Sequence, residues 1–185
     1  MAKVIPSIDQ SIRDFIARQH IFFAASAAAG ARINISPQGA DAFAVLDEHT
    51  VAYLDRTGSG AETAAHLKAD GRLTIMFCAF DGPPNILRLS GRGEVCMRGG
   101  APYREVLERA FAGVEPVGAH QIVRLAVDRM QTSFGYGVPL LGYPGERLSP
   151  DSWARSKGED GLEAYRRKEN VVSIDGSPTG LFEDA

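Results

Sequence analysis

Apolar positions change their period along this chain, and each change marks an element. Ile8, Ile12, Phe15 and Ile16 fall on one face at helical spacing. Ser7 precedes them with Gln10 three residues on, a pattern that predicts a helix opened by a capping box. Ile21 to Ala27 is a short apolar run that predicts a first strand, with small residues in its later half. From Arg32 to Ser36 polar and apolar residues alternate, so Arg32, Asn34 and Ser36 share one face while Ile33 and Ile35 share the other. That polar face is either solvated or turned toward a ligand. Pro37-Gln38-Gly39 predicts a turn. Phe43 to Leu46 and Thr50 to Asp55 predict two strands joined by Asp47, Glu48 and His49, with His49 a solvated turn residue. Leu73 to Phe80 and Ile86 to Met97 predict two more across Asp81-Gly82-Pro83-Pro84. Gly91 and Gly93 inside the last of these predict a bulge or a barrel corner.

Helical spacing returns from Ala61 to Ala69, and again from Pro102 to Phe111, with Pro early and Gly113 past the end. Gln121 to Phe134 predicts a long strand that runs into Gly135-Tyr136-Gly137-Val138-Pro139. Pro150 to Asn170 is charged and helical, with Trp153 and Tyr165 as expected anchors and Arg166-Arg167-Lys168 as a solvated face. Ser173 to Ala185 is polar, carries Gly and Pro, and is expected to be loosely held. About seven short strands with interspersed helices and no βαβ alternation predict a mostly β, antiparallel fold. Its natural closure is a small barrel with peripheral helices. Residues 1–140 are expected to form that barrel, and 141–185 a helical extension packed on the same domain.

Composition narrows the function classes. The chain has 185 residues, 44% of them hydrophobic and 23% charged, with a net charge of -3. These are globular values with no general attraction to nucleic acid or to an anionic membrane surface. No apolar run approaches the ~18 residues of a membrane span. Acidic and basic residues interrupt Ile8 to Gln19, and no basic segment precedes the apolar Ile21 to Ala29, so a signal peptide is not expected. Cys78 and Cys96 suit reduced core residues of a cytoplasmic protein and form neither a disulfide framework nor a metal ligand set.

Candidate chemistry concentrates between Tyr53 and Phe77. A strand end, the turn Arg56-Thr57-Gly58-Ser59-Gly60 and a helix beginning at Ala61 present backbone N–H groups and the positive end of a helix dipole, a combination that favours an anion. Arg56, Thr57, Ser59 and Thr63 add a cation and hydroxyl donors. The same residues also serve an ordinary strand-to-helix connection. The strand-to-helix setting of a GxGxxG fingerprint is absent, which excludes a Rossmann dinucleotide site.

The order of these elements resembles the pyridoxamine 5′-phosphate oxidase-like family. The likeness runs from Ile8 to Val138 and is carried by Arg32-Ile33-Asn34-Ile35-Ser36-Pro37, by Asp55-Arg56-Thr57-Gly58-Ser59-Gly60 with the following helix and strand, and by Gln131-Thr132-Ser133-Phe134-Gly135-Tyr136-Gly137-Val138-Pro139. The resemblance implies an FMN-binding split β-barrel, a homodimer with flavin at the subunit interface, and a small-molecule substrate. By position, Arg32 falls near the pyrimidine edge of the flavin, where a cation raises the flavin potential. Asn34, Ile35 and Ser36 fall along the ring edge, and Asp55 and Arg56 beside the ribityl chain. Ser59, Ala61 and Thr63 fall where the family grips phosphate, and Gln131, Ser133 and Tyr136 near the ring.

Two departures matter. The oxidases carry Ser-Arg-Lys at the helix start, where this chain has Ala61-Glu62-Thr63. A carboxylate ~4 Å from a phosphate costs on the order of 1–4 kcal/mol, so Glu62 must turn away if phosphate binds. Arg56 is then the remaining counter-charge, with His66 after it. The substrate-handling Arg-x-His-x-Arg arrangement of the oxidases is also absent, Tyr165-Arg166-Arg167-Lys168 being the nearest basic stretch. The expected cofactor is FMN, with a deazaflavin second and haem third. The expected activity is a flavin-dependent oxidoreductase other than pyridoxamine phosphate oxidase, with a flavin carrier or sensor, or a cofactor-less dimeric scaffold, as alternatives. No metal site is expected.

Overall fold

The computed structural model describes residues 2–147 and 149–183. Its sheet is antiparallel throughout and eight-stranded: β1 (Lys3–Ile5), β2 (Ile21–Ala27), β3 (Asn34–Gly39), β4 (Phe43–Val45), β5 (Thr50–Arg56), β6 (Arg72–Cys78), β7 (Ile86–Met97) and β8 (Ala119–Ser133). The order is β3-β2-β6-β7-β8-β5-β4, with β1 also on β8. β3 and β4 stand at opposite ends of that order, yet only the 3-10 turn Ala40–Ala42 links them. A link that short spans roughly 10–14 Å, so the sheet must curl until its ends face one another across a seam. The result is the antiparallel half-barrel that the strand pattern predicts.

Alternation decides what fills it. Phe22, Val51, Ile75, Phe77, Leu87, Leu89 and Leu125 point inward and are fully buried. Phe22 packs on Phe43, Tyr53 and Phe77 with ring centroids 5.1, 5.3 and 5.7 Å apart. Helix α1 (Gln10–Ala17) closes one end with Ile12, Phe15 and Ile16. Its cap is Asp9, not Ser7: Asp9 is extended, directly precedes the first helical residue, and accepts from the Ile12 N–H at 2.9 Å. Helix α2 (Glu62–Ala69) lies on β2, β6 and β7, and α3 (Ala101–Phe111) covers a second core of Ala52, Leu54, Cys96 and Ile122.

The Gly91 prediction holds. The β7–β8 register shifts between Ser90 and Gly91, and a Cβ at Gly91 would lie 2.0 Å from the Ala126 carbonyl oxygen. Cys78 and Cys96 are free, buried thiols, both pushed above the ordinary range by burial.

Other expectations need correction. β1 has too few residues to show a period. Pro37-Gln38-Gly39 continues β3 as strand instead of turning, because β3 is an edge and Pro37 withholds no ladder bond on its open side. Helix α4 (Ser149–Glu169) breaks at Gly158, where φ is +66°. Its buried contacts are Ala154, Leu162 and Arg166, while Trp153 and Tyr165 are half-buried and pack on each other at 5.2 Å. Arg166 is 6% exposed, so it is no part of a solvated face. The segment after α4 is docked: Ser173 and Thr179 are buried, and Val172 pairs with Pro178. Residues 184 and 185 of that stretch lie outside the described residues. Among the described residues no helix is long and apolar enough to cross a membrane.

Candidate functional site

The polar face of β3 turns inward at the start of α2. Ser26 and Asn34 are register partners on β2 and β3, and the Asn34 Nδ2 donates to Ser26 Oγ at 3.2 Å and to Thr63 Oγ1 at 2.9 Å. Ser36 Oγ donates to Asn34 Oδ1 at 3.1 Å, and Ser26 Oγ bonds His66 Nδ1 at 3.0 Å. Two buried atoms of this network have no partner, His66 Nε2 and the Tyr53 hydroxyl. Burial holds the Tyr53 phenol far above its usual range, so it stays protonated.

Charge at this corner is already balanced from within the chain. Arg32 donates through its backbone N–H to Asp175 at 2.8 Å and pairs its guanidinium with the same carboxylate. Glu62 does not turn away: its Oε2 accepts from the Ala61 N–H and its Oε1 from the Ile174 N–H, each at 3.1 Å. The turn itself is tied down by Asn170, whose Nδ2 donates to the Gly58 carbonyl at 2.9 Å.

Past the turn, along the seam between β3 and β5, lies a cavity of about 820 Å³. Its walls are the end of β3 (Pro37, Gln38, Gly39), the end of β5 (Leu54, Arg56) with Thr57, the segment from Arg18 to Ile21, and the loop from Leu141 to Arg147. Arg56 lines it together with Arg18 and Arg147, and is paired with Asp41 at 2.9 Å and Asp151 at 3.2 Å. The Arg56 Nε is buried with no hydrogen-bond partner, so one donor of that guanidinium is unused. His20 stacks on Tyr143 at 3.6 Å. The Tyr143 phenol is pushed up to about 12, chiefly by its hydrogen bond to Glu146, and remains a neutral donor.

The remaining predicted residues divide between these places and others. Ile35 faces outward and is 65% exposed, and Ser59 is exposed on the turn. Ala61 is buried before α2. Asp55 accepts from Gln121 at 2.8 Å, and Thr57 donates to the Gly118 carbonyl at 2.9 Å. Gln131, Ser133 and Tyr136 are not brought to this corner within one chain, since β5 pairs with residues 119–126 of β8, with Arg56 opposite Ala119, and Gln131 and Ser133 lie at the other end of β8. Ser133 instead accepts from Arg88 at 3.0 Å, and exposed Tyr136 stacks on Phe134 at 5.1 Å.

This combination of fold and site has relatives. The sequence model described as pyridoxamine 5′-phosphate oxidase matches residues 8–134. The chain belongs to that family. It is 44% identical over 139 residues to the pyridoxamine 5′-phosphate oxidase family protein ustO of Aspergillus flavus, covering 73% of this chain and 55% of that one. The chain thus spans about half the length of that relative. Among solved structures it is similar to HupZ of Group A Streptococcus, with a TM-score of 0.57 and 22% identity over 68% of this chain and 99% of that one. It is also similar to a candidate pyridoxamine 5′-phosphate oxidase of Lactobacillus delbrueckii, with a TM-score of 0.52 and 17% identity over 69% of this chain and 98% of that one. These likenesses establish the split-barrel fold.

The flavin implied by the family can be tested against these residues in two parts. A cavity of about 820 Å³ falls within the size range of small-molecule and cofactor sites, and its lining includes the aromatic side chains of His20, Phe80 and Tyr143. The start of α2 does not suit a phosphate as it stands. Glu62 occupies the positive end of the helix, and Arg32 is neutralised by Asp175. Sequence reasoning missed His20, Tyr143 and Asp175, which reach the seam from segments far along the chain. The one available signal for the last was Asp175-Gly176-Ser177-Pro178, turn chemistry that argues for order.

Proposed function

We propose that this protein binds a flavin along the seam between β3 and β5 and serves as a flavin-dependent oxidoreductase for a small molecule. The observation that carries the reading is the cavity beside Arg56, whose buried Nε has no protein partner. Of the residues to which the family resemblance assigns the flavin, Arg56 and Thr57 line it, FMN being the form that resemblance implies. When bound, a flavin supplies two-electron redox chemistry that no side chain here provides. The chain's own part is to bind and orient. Arg56 offers a fixed Nε donor, its charge being paired with Asp41 and Asp151. His20 and Tyr143, stacked on each other, offer an aromatic surface in the lining.

Pyridoxamine phosphate oxidation itself is not proposed. The substrate-handling arrangement is absent from the sequence, and Arg166, in the nearest basic stretch, is engaged by Thr57 at 3.4 Å and Glu159 at 3.1 Å. We further propose a homodimer. Ile33 and Ile35 are 76% and 65% exposed on the outer face of the β3 edge, where a second copy would bury them. In such a dimer Gln131, Ser133 and Tyr136 are delivered to the flavin across the interface. A cofactor-less scaffold is the second reading, favoured by the internal neutralisation of Arg32.

The test is the absorption spectrum of the purified protein, followed by reduction with NADH or NADPH and reoxidation in air. Flavin bands that bleach and return are expected for the oxidoreductase. Bands that do not respond indicate a carrier, and a colourless protein that takes up no added flavin indicates the scaffold.

A further inference from the structure

We propose that α4 is a proton-sensitive latch on one wall of the cavity, released when His120 beneath it takes up a proton. The inference goes beyond the flavin reading and holds whatever ligand the cavity takes. Helix α4 docks across the end of the β5–β8 pair. That pair shifts register between Asp55 and Arg56, which leaves His120 as the extra residue of β8. Ala154 packs over Gly118, where an added Cβ would lie 3.2 Å from its own. Buried Arg166 reaches Thr57 Oγ1 at 3.4 Å, and just past the helix Asn170 donates to the Gly58 carbonyl at 2.9 Å. The same helix owns part of the cavity wall: Asp151, in its first turn, lines the cavity and pairs with Arg56 at 3.2 Å. Lifting α4 therefore opens that wall and removes one of the two carboxylates that hold Arg56.

His120 is buried under this contact, and its Nδ1 bonds no described residue. The charged groups around it are Asp55 on β5, Arg166 and Glu159 on α4, and Arg98 with Glu115 beyond β7. The Arg98 backbone N–H donates to the His120 carbonyl at 3.3 Å, and its side chain pairs with Glu115 and Glu159. Burial opposes an imidazolium at His120, Asp55 favours it, and Arg166 opposes it, leaving the pKa below the ordinary 6.5. Arg166 and the cover over the ring leave with α4, whereas Asp55 stays on β5. The released form is thus the better base, and linkage shifts the helix toward release in acid. Between the docked value and about 6.5 the released form holds more protons, so release grows as pH falls through that window. A single proton gives at most about tenfold more release per pH unit. Glu159 does not titrate there, because hydrogen bonds from Arg166 and Arg98 outweigh burial and hold its carboxyl below its usual range.

Trp153 is the single tryptophan of the chain and belongs to α4, so its fluorescence reports on this helix. The experiment measures acrylamide quenching of Trp153 in the full-length protein from pH 7.5 to 5, beside hydrogen–deuterium exchange of the backbone amides corrected for intrinsic rates. Quenching is expected to rise as pH falls below about 6.5, and opening of the α4 amides to increase by up to about tenfold per pH unit. The amides of β6 and β7 are expected to keep their protection over the same range. In His120→Gln both rises disappear. Quenching and α4 exchange that ignore pH in the wild-type protein overturn the inference, as does an undiminished rise in His120→Gln. Opening of β6 and β7 in step with α4 overturns it without any variant, because that pattern is global unfolding and not release of a latch.

Discussion

At the scale of single residues, His120 couples folding to pH. It is 7% exposed beneath α4, its Nδ1 has no hydrogen-bond partner, and burial, with Arg166 nearby, lowers its pKa despite Asp55. The unfolded chain takes up a proton on this residue near pH 6.5, whereas the folded chain does so only at lower pH. Between those values the unfolded state binds more protons, so stability rises with pH through the window and falls on acidification below about 6.5. His120→Gln should flatten that slope, read as urea midpoints between pH 5 and 7.5. An unchanged slope would assign it to another group. Gly91→Ala should cost about 3 kcal/mol or more, because a methyl cannot coexist with a carbonyl oxygen 2.0 Å away. Gly91 was legible from the sequence because a glycine inside an apolar alternation has few other reasons to be there. Asp175 was not, because an acidic residue in a polar tail carries no sign of the arginine it meets 143 positions earlier in the chain.

At the scale of elements, period and punctuation located β2 and β7 to the residue, and placed β5, β6, β8 and α2 within about two residues of their ends. The errors fall where local chemistry offers two choices. Ser7 and Asp9 both resemble helix caps, and only the backbone geometry selects Asp9. Asp9→Ala should therefore lower the urea midpoint, and Ser7→Ala leave it nearly unchanged. Helix α4 was legible as a helix, but its charged sequence hid the side that docks. Arg166 reads like its neighbours Arg167 and Lys168 until Thr57 and Glu159 are placed beside it. The same holds for Gln131 and Ser133, which reside on β8 as expected. No reading of one strand reveals that its pairing with β5 leaves them at the end of β8 away from Arg56.

At the scale of the whole molecule, a half-barrel whose edge strand exposes Ile33 and Ile35 is expected to pair with itself. Light scattering should give twice the 19.9 kDa chain mass, and Ile35→Asp should return the mass of a single chain. Single-chain mass for the wild-type protein would contradict the dimer. The central claim, however, concerns the seam: a cavity beside Arg56 that accepts a flavin, next to a helix start whose charge the chain satisfies itself. Mass spectrometry of the small molecule released when the purified protein is denatured addresses that claim most directly. A flavin is expected, near one per chain. A protein that releases no flavin, and acquires none from added riboflavin or FMN, would contradict it.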